Sequence, residues 1–583
     1  MSVLRRKRGL PAVLLVLLLA ACGGGGGGNS SGGPVAVTPE MPASRDAAAR
    51  FLTQATFGPT EAAVDRVMAI GYAAWIDEQF TKPVFAHRAT WESADAAAKA
   101  ADPANTNAGV YQNGTINAFW KAAVTGEDQL RQRMAYALSQ IMVISMQDGT
   151  VGDNPRAVAA YLDLLADKGL STYRALLEGV ALHPMMGTYL SHLRNQKADA
   201  RTGRVPDENF AREVMQLFSI GLHELNTDGS ARLNAGSRID TYTSADIGGL
   251  ARVFTGWSWD CPGWPANNCF FSGSLSGASD PDRQFKPMRG YAQYHSGEVK
   301  AFLGRTIAAQ TTADPTASLT EALDTLANHP STGPFIGKQL IQRLVTSNPS
   351  PAYVSAVAAA FADNGSGVRG DLKHVLKTIL MHPEARAVNS NSGKLREPVL
   401  RLSAFLRAYN FRSDSGEFRV GNTDNPGTSL GQTPMRSPSV FNFYRPGYVA
   451  PGTRATAAGL VVPEMQIVHE TTVAGYVNFM RDNVSAGVGS FNSALNRREM
   501  QGDFTADLVL ADRAPELVAL ANRKLMFGSM PAALASEIEA AVSSIVIPVS
   551  TGSNQAAIDS AKRNRVNAAL FLTLVSPEFQ VQK

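Results

Sequence analysis

Four times in this chain an apolar run of helical character ends on a polar residue followed at once by proline: Leu182-His183-Pro184, Asn328-His329-Pro330, Met381-His382-Pro383 and Val575-Ser576-Pro577. Proline fits the first turn of a helix, where its missing N–H costs nothing, and it pushes the preceding residue out of helical geometry. Each junction therefore reads as one helix stopping and another starting. Strand signals are scarce, so the expected fold class is mainly α: a large multi-helical body with long ordered loops and at most small β-hairpins. Three histidines in this context also raise a shared metal site, but polar joints before helix starts account for them better. The sequence assigns no cofactor and leaves metal content open.

The helical reading extends along the chain. Ser44 and Asp46 open a helix lined by Phe51, Leu52 and Ala55, and Thr60 caps a second one carrying Val64, Val67 and Met68. Ala96–Gly114 is small and polar and reads as a loop. Asp128–Ser145 is amphipathic, with Leu130, Met134, Leu138 and Ile141 as its buried row and Arg131 and Arg133 solvated or paired. Leu319–Val345, Ala352–Phe361, Asp371–Met381 and Lys394–Tyr409 read as successive helices. Asn226-Thr227-Asp228-Gly229 permits a small hairpin, and Tyr242 to Asp246 is a capped helix start. Gly431–Gly452 differs: its prolines forbid a helix, and Phe441, Phe443, Tyr444 and Tyr448 anchor an ordered loop.

The N-terminus sets the compartment. Arg5, Arg6, Lys7 and Arg8 precede an apolar run, Leu10–Ala21, which is the pattern of a bacterial secretory signal. It ends Leu19-Ala20-Ala21-Cys22, a lipobox-like pattern with Cys22 as the lipidated residue. The domain organisation expected is a signal peptide over 1–21, a Gly/Ser-rich tether over 22–44 and a helical body over 45–583. Gly23 stands where the inner-membrane retention signal would place aspartate, so the expected location is the cell envelope, on the outer membrane rather than the inner. Taking the signal's four cations from 54 basic residues leaves 50 against 50 acidic ones, which argues against a nucleic-acid partner. The remaining cysteines, Cys261 and Cys269, lie close together in a Pro/Gly/Asn-rich loop and read as a local disulfide outside the cytoplasm.

The densest polar cluster is Asp207–Gly221, D-E-N-F-A-R-E-V-M-Q-L-F-S-I-G. As a helix it carries Phe210, Val214, Leu217 and Gly221 on an apolar stripe and Asn209, Glu213 and Gln216 on another face. Asp207 suits an N-cap, Glu208 and Arg212 an i,i+4 ion pair, and Gly221 a terminator. A carboxylate beside an arginine is held ionised, and a histidine can shuttle protons, so Glu208, Arg212, Glu213 and His295 are the candidate catalytic residues. No phosphate loop, nucleophile elbow or H-E-x-x-H motif is present. The leading reading is a lipid-anchored envelope protein that binds a partner protein or polymer, with Trp257–Trp264 and Phe441–Tyr448 as contact loops. The alternative is a hydrolase-like enzyme built on the four candidates, with or without metal assistance.

These stretches resemble the large bacterial family called domain of unknown function 1800. The resemblance is carried by Arg50-Phe51-Leu52, Ala55 to Thr60, Leu130-Arg131-Gln132-Arg133, Pro206–Gly221, Phe254-Thr255-Gly256-Trp257 and Pro438 to Phe443. It implies a secreted or envelope-associated helical protein. It also implies a candidate protein partner from the domain of unknown function 1501 family, whose genes often stand beside those of this one. No catalytic residue set comes with it.

Overall fold

The helix Gln129–Ser139 is buried on every face. It lies at the middle of a body seen in a computed structural model that describes residues 40–275, 277–387 and 392–583. The expected signal peptide, lipidated Cys22 and most of the tether lie outside the described residues. About half of the chain is helical, and the sheets are small, with two or three strands each. The mainly α expectation holds. No helix among the described residues is long and apolar enough to cross a membrane.

Local chemistry sets the helix starts. Ser44 accepts the N–H of Ala47 to begin Arg45–Ala55, and Thr60 does the same with Ala63 for Glu61–Ile70. Thr243 and Asp246 form a reciprocal capping box on Ser244–Val253. At the three His-Pro junctions the imidazole itself closes the turn. Nδ1 of His183, His329 and His382 accepts the backbone N–H two residues on, at 3.2 Å in each case. Ser576 accepts from Phe579 at the fourth junction. The polar-joint reading is correct, and the proton must be off Nδ1 for it to work.

Several boundaries move. The stretch Leu319–Val345 is two helices, Pro315–Asn328 and Thr332–Leu344, parted at the His329 joint. Ala96–Gly114 is loop only in its middle, because His87–Ala101 runs into it and Tyr111–Thr125 begins inside it. Lys394 belongs to a short strand, Lys394–Leu395, paired antiparallel with Val581–Gln582; the helix starts later, at Pro398. Arg133 is wholly buried and Arg131 nearly so, not solvated. The apolar row of that helix was legible from spacing, but spacing cannot tell that the remaining faces are covered as well. Cys261 and Cys269 form a disulfide with 5.7 Å between their Cα atoms, as the sequence suggested.

Burial pushes His183 down from 6.5 to about 3, and His192 and His295 each to about 4, so all three fold in the neutral form. Their folded values lie below the unfolded one. The unfolded chain therefore binds more protons between about 4 and 6.5, and stability is lost as pH falls through that window. Each group contributes about 1.4 kcal/mol per pH unit there. Thermal unfolding followed from pH 7 to pH 4 is expected to show a falling midpoint, less steep in His183→Asn, where the amide oxygen can still accept the Met185 N–H. A midpoint unaffected by His183→Asn at every pH would contradict this.

Candidate functional site

Two helix C-termini meet in the core and cap each other. The last turn of a helix leaves carbonyls without intrahelical partners and carries partial negative charge. Arg133, from Gln129–Ser139, donates Nη2 to the Arg343 carbonyl at the end of Thr332–Leu344, at 2.6 Å. Arg343 returns the contact, donating Nη2 to the Gln140 carbonyl that closes the first helix, at 3.0 Å. Lys394 adds a second donor to the Arg343 carbonyl at 2.8 Å and pairs with Glu464 at 2.9 Å. Glu397 accepts from Tyr136 and Gln432 at 2.8 Å each, and also from Gln140.

Every charge in this knot is out of water. Burial pushes the Glu397 carboxyl up, but Lys394 and Arg133 with the Tyr136 and Gln432 hydrogen bonds outweigh it and hold the group below its usual value. At Glu464 burial outweighs Lys394, and the carboxyl is pushed up. Burial lowers the pKa of both Arg133 and Arg343.

A cleft of about 1060 Å³ opens directly over this knot. One wall is a face of Thr332–Leu344, where Phe335, Lys338, Gln339 and Gln342 recur at helical spacing while Ile336, Leu340 and Ile341 turn into the core. A second wall is the turn after Asn209–Gln216. Gly221 there has φ +74°, and a Cβ on it would meet the Phe335 ring at 2.8 Å, so glycine is what lets the turn close against the helix. The third is the proline-rich loop. Gln342 donates to the Pro446 carbonyl at 3.2 Å, Gln466 accepts from the Arg445 N–H at 2.8 Å, and the Arg445 guanidinium sits 4.4 Å over the Phe441 ring. Gln140 and Arg343 belong both to the cleft lining and to the knot.

The carboxamides along this surface hold unspent hydrogen-bonding capacity. Gln216 and Gln466 are engaged through Oε1, leaving their amide donors, whereas Gln342 is engaged through Nε2, leaving its acceptor. Gln339 Nε2 and Gln140 Oε1 also have no partner, but both atoms are buried beneath the lining and closed to solvent. Among the described residues no carboxylate lines the cleft.

None of the four candidates from the sequence lines it either. Glu208 and Arg212 pair at 3.6 Å with both side chains about half exposed, a contact worth little in water. Glu208, not Asp207, occupies the N-cap position of Asn209–Gln216, while Asp207 accepts the Asn209 N–H from one residue earlier. Glu213 is buried, its Oε2 lacks a partner, and burial pushes its carboxyl up against the pull of Arg212. His295 is buried with both ring nitrogens engaged, Nδ1 with the Thr255 carbonyl at 2.8 Å and Nε2 with Ser318 at 3.0 Å. A proton shuttle would need one of them open. Trp257 is core, and Trp264 alone of that loop's tryptophans is exposed. Among the described residues no group of three or more His, Cys, Asp or Glu comes together as a metal site. What the sequence reading missed is Gln339, Gln342 and Arg343. The local signal was amides at i,i+3 beside an arginine and Lys338, in a helix whose other residues are mostly apolar.

A family model described as "Protein of unknown function (DUF1800)" matches residues 50–581. No curated protein and no solved structure matches the chain.

Removing one partner of a buried ionic group leaves uncompensated charge, at a cost of roughly 3–5 kcal/mol, against about 0–1 for an exposed pair. Glu397→Ala is accordingly expected to lower the unfolding free energy by several kcal/mol in urea titration, and Glu208→Ala by less than about 1. Equal, small losses would remove the knot from its place in the fold.

Proposed function

The chain belongs to the DUF1800 family, the match covering nearly its whole length, and we propose that it is a lipid-anchored envelope protein whose cleft binds a polysaccharide. The observation that carries this reading is the lining. Amide donors and acceptors are mixed along one open channel, and a hydroxyl group is itself both donor and acceptor. Phe335, Phe441 and Tyr448 supply flat apolar faces beside them, as a sugar ring with one apolar side requires. The volume exceeds what a small ligand fills, which suits several residues of a polymer. Cys22 would carry the lipid, and the Gly-rich stretch after it would give the body reach from the membrane surface. A protein of the domain of unknown function 1501 family remains the proposed protein partner, on ground outside the cleft.

Two measurements test this. Cys22→Ala is expected to move the protein from the membrane to the soluble fraction; an unchanged distribution would contradict the anchor. Titration of the full-length chain with soluble polysaccharides is expected to show saturable binding, weakened about tenfold by Phe441→Ala (about 1.4 kcal/mol). Binding to no polysaccharide, or binding indifferent to Phe441, would contradict the cleft as the site.

A further inference from the structure

We propose that the disulfide-closed segment 260–275 and its basic surroundings are a docking face for an anionic phospholipid surface, a hold on the membrane that uses neither the cleft nor Cys22. Three large apolar side chains stand out of this segment, Trp264 at 42% exposed, Phe271 at 47% and Leu275 at 40%. They form one patch. A Cβ on Gly263 would meet Leu275 at 2.8 Å, so Leu275 lies beside Trp264. Phe271 packs edge-on to Tyr294 with 5.3 Å between ring centres, and Gln293 next to it donates to the Pro265 carbonyl at 2.7 Å. The Cys261–Cys269 bond and the stacking of Phe270 on Tyr294 at 4.0 Å hold the patch from beneath. Aromatic rings presented in this way favour the boundary between water and hydrocarbon.

Internal hydrogen bonds favour lipid over a polar partner. Trp264 Nε1 donates to the Gly290 carbonyl at 3.1 Å, and its backbone N–H to the Cys261 carbonyl at 2.9 Å. The Phe271 carbonyl accepts from Arg194 Nη1 at 3.2 Å. The indole can therefore enter an apolar medium without stranding its N–H, the group that would otherwise oppose the transfer. Charge supplies the attraction. Arg289 lies 4.5 Å over the Trp264 ring, and Arg194 holds Phe271. The Lys197 N–H donates to the Tyr294 carbonyl at 2.9 Å, and Arg204 Nε to the Lys197 carbonyl at 3.0 Å. All four cations are exposed, and none enters an ion pair among the described residues. The carboxylates on segments 194–204 and 260–275 are Asp199, which accepts the Arg201 N–H at 3.0 Å, and Asp260, which Lys286 faces. Asp280, Asp282 and Glu298 nearby are taken by Lys286, Arg156 and Arg252. Basic side chains around exposed rings suit anionic headgroups with the rings seated among them.

The probes are vesicles of phosphatidylcholine alone and of phosphatidylcholine mixed with phosphatidylglycerol, added to the full-length protein. Fluorescence is read as the difference between the wild type and Trp264→Phe, so the other tryptophans and any attachment through the N-terminus cancel. With mixed vesicles the Trp264 emission is expected to move to the blue and to be quenched by lipid brominated along its upper acyl chain. Half the shift should need about tenfold less of the mixed vesicles than of the neutral ones. Phe271→Asp, and separately Arg194→Glu with Arg289→Glu, are expected to abolish the shift with little change in thermal midpoint, since these side chains are exposed. No shift with mixed vesicles, or an undiminished one in Phe271→Asp, overturns the docking face. An equal response to neutral vesicles, or an undiminished one in the double arginine variant, overturns the part given to the cations. A shift produced as well by soluble polygalacturonate overturns lipid as the partner. The cleft and the Cys22 anchor are measured by other readouts and stand or fall apart from this.

Discussion

Two helices ending against each other in the core, each closing the other's last turn with an arginine, set what the rest of the molecule can do. A helix C-terminus in the interior leaves carbonyls that water cannot reach, and each would cost on the order of 1–3 kcal/mol unmet. Arg133 and Arg343 meet that need reciprocally. The solution creates a second demand, because two guanidiniums are now buried together. Glu397 and Glu464 answer it, and they arrive from segments far along the chain with Lys394 between them. Residues 129–140, 332–344, 394–397, 432 and 464 are thereby fastened at one point. Such a knot is costly in desolvation and worth having chiefly for the uniqueness of the arrangement it enforces.

The cleft follows from that arrangement. A chain segment held by Gln432 on Glu397 and by Met435 on the Met146 N–H cannot spread over the body. It instead arches past the end of Thr332–Leu344, strapped by Gln342 and Gln466, and the space left under the arch is the cleft. Its floor is the upper side of the knot, which is why Gln140 and Arg343 serve both. A ligand taken up there, as proposed, would meet a pre-organised surface, since the side chains that also hold the fold together are already fixed before it arrives.

How much of this could be read from residues alone divides along a physical line. Features decided within one helical turn were legible: the Ser44, Thr60 and Thr243 caps, the imidazole joints before Pro184, Pro330 and Pro383, and the close cysteine pair. Features decided by what packs from far away were not. Arg133 lies off the apolar row of its helix, and nothing local says that the opposite side is covered by Arg343 and Glu397. Gln339 and Gln342 look like solvated amides until the loop from residue 438 onward closes over them. Polar density misled in the other direction. Glu208 and Arg212 cluster because they face solvent, so the stretch that reads as chemistry from its letters is in part an exposed helix face, and His295 is a core residue serving the backbone of Thr255. The start of the Pro398–Ala408 helix moved because Lys394–Leu395 pairs with the last strand, Val581–Gln582, a contact spanning nearly two hundred residues.

Hydrogen exchange of the full-length protein, with and without a soluble polysaccharide, tests the proposed binding cleft most directly. Bound ligand should slow exchange together at residues 217–222, 335–343 and 440–449, the three walls over the Arg133–Arg343 knot, and leave residues 244–258 and 295–300 unchanged. Protection confined to the exposed side of Asn209–Gln216 and the surroundings of His295, with the three walls unaffected, would contradict it.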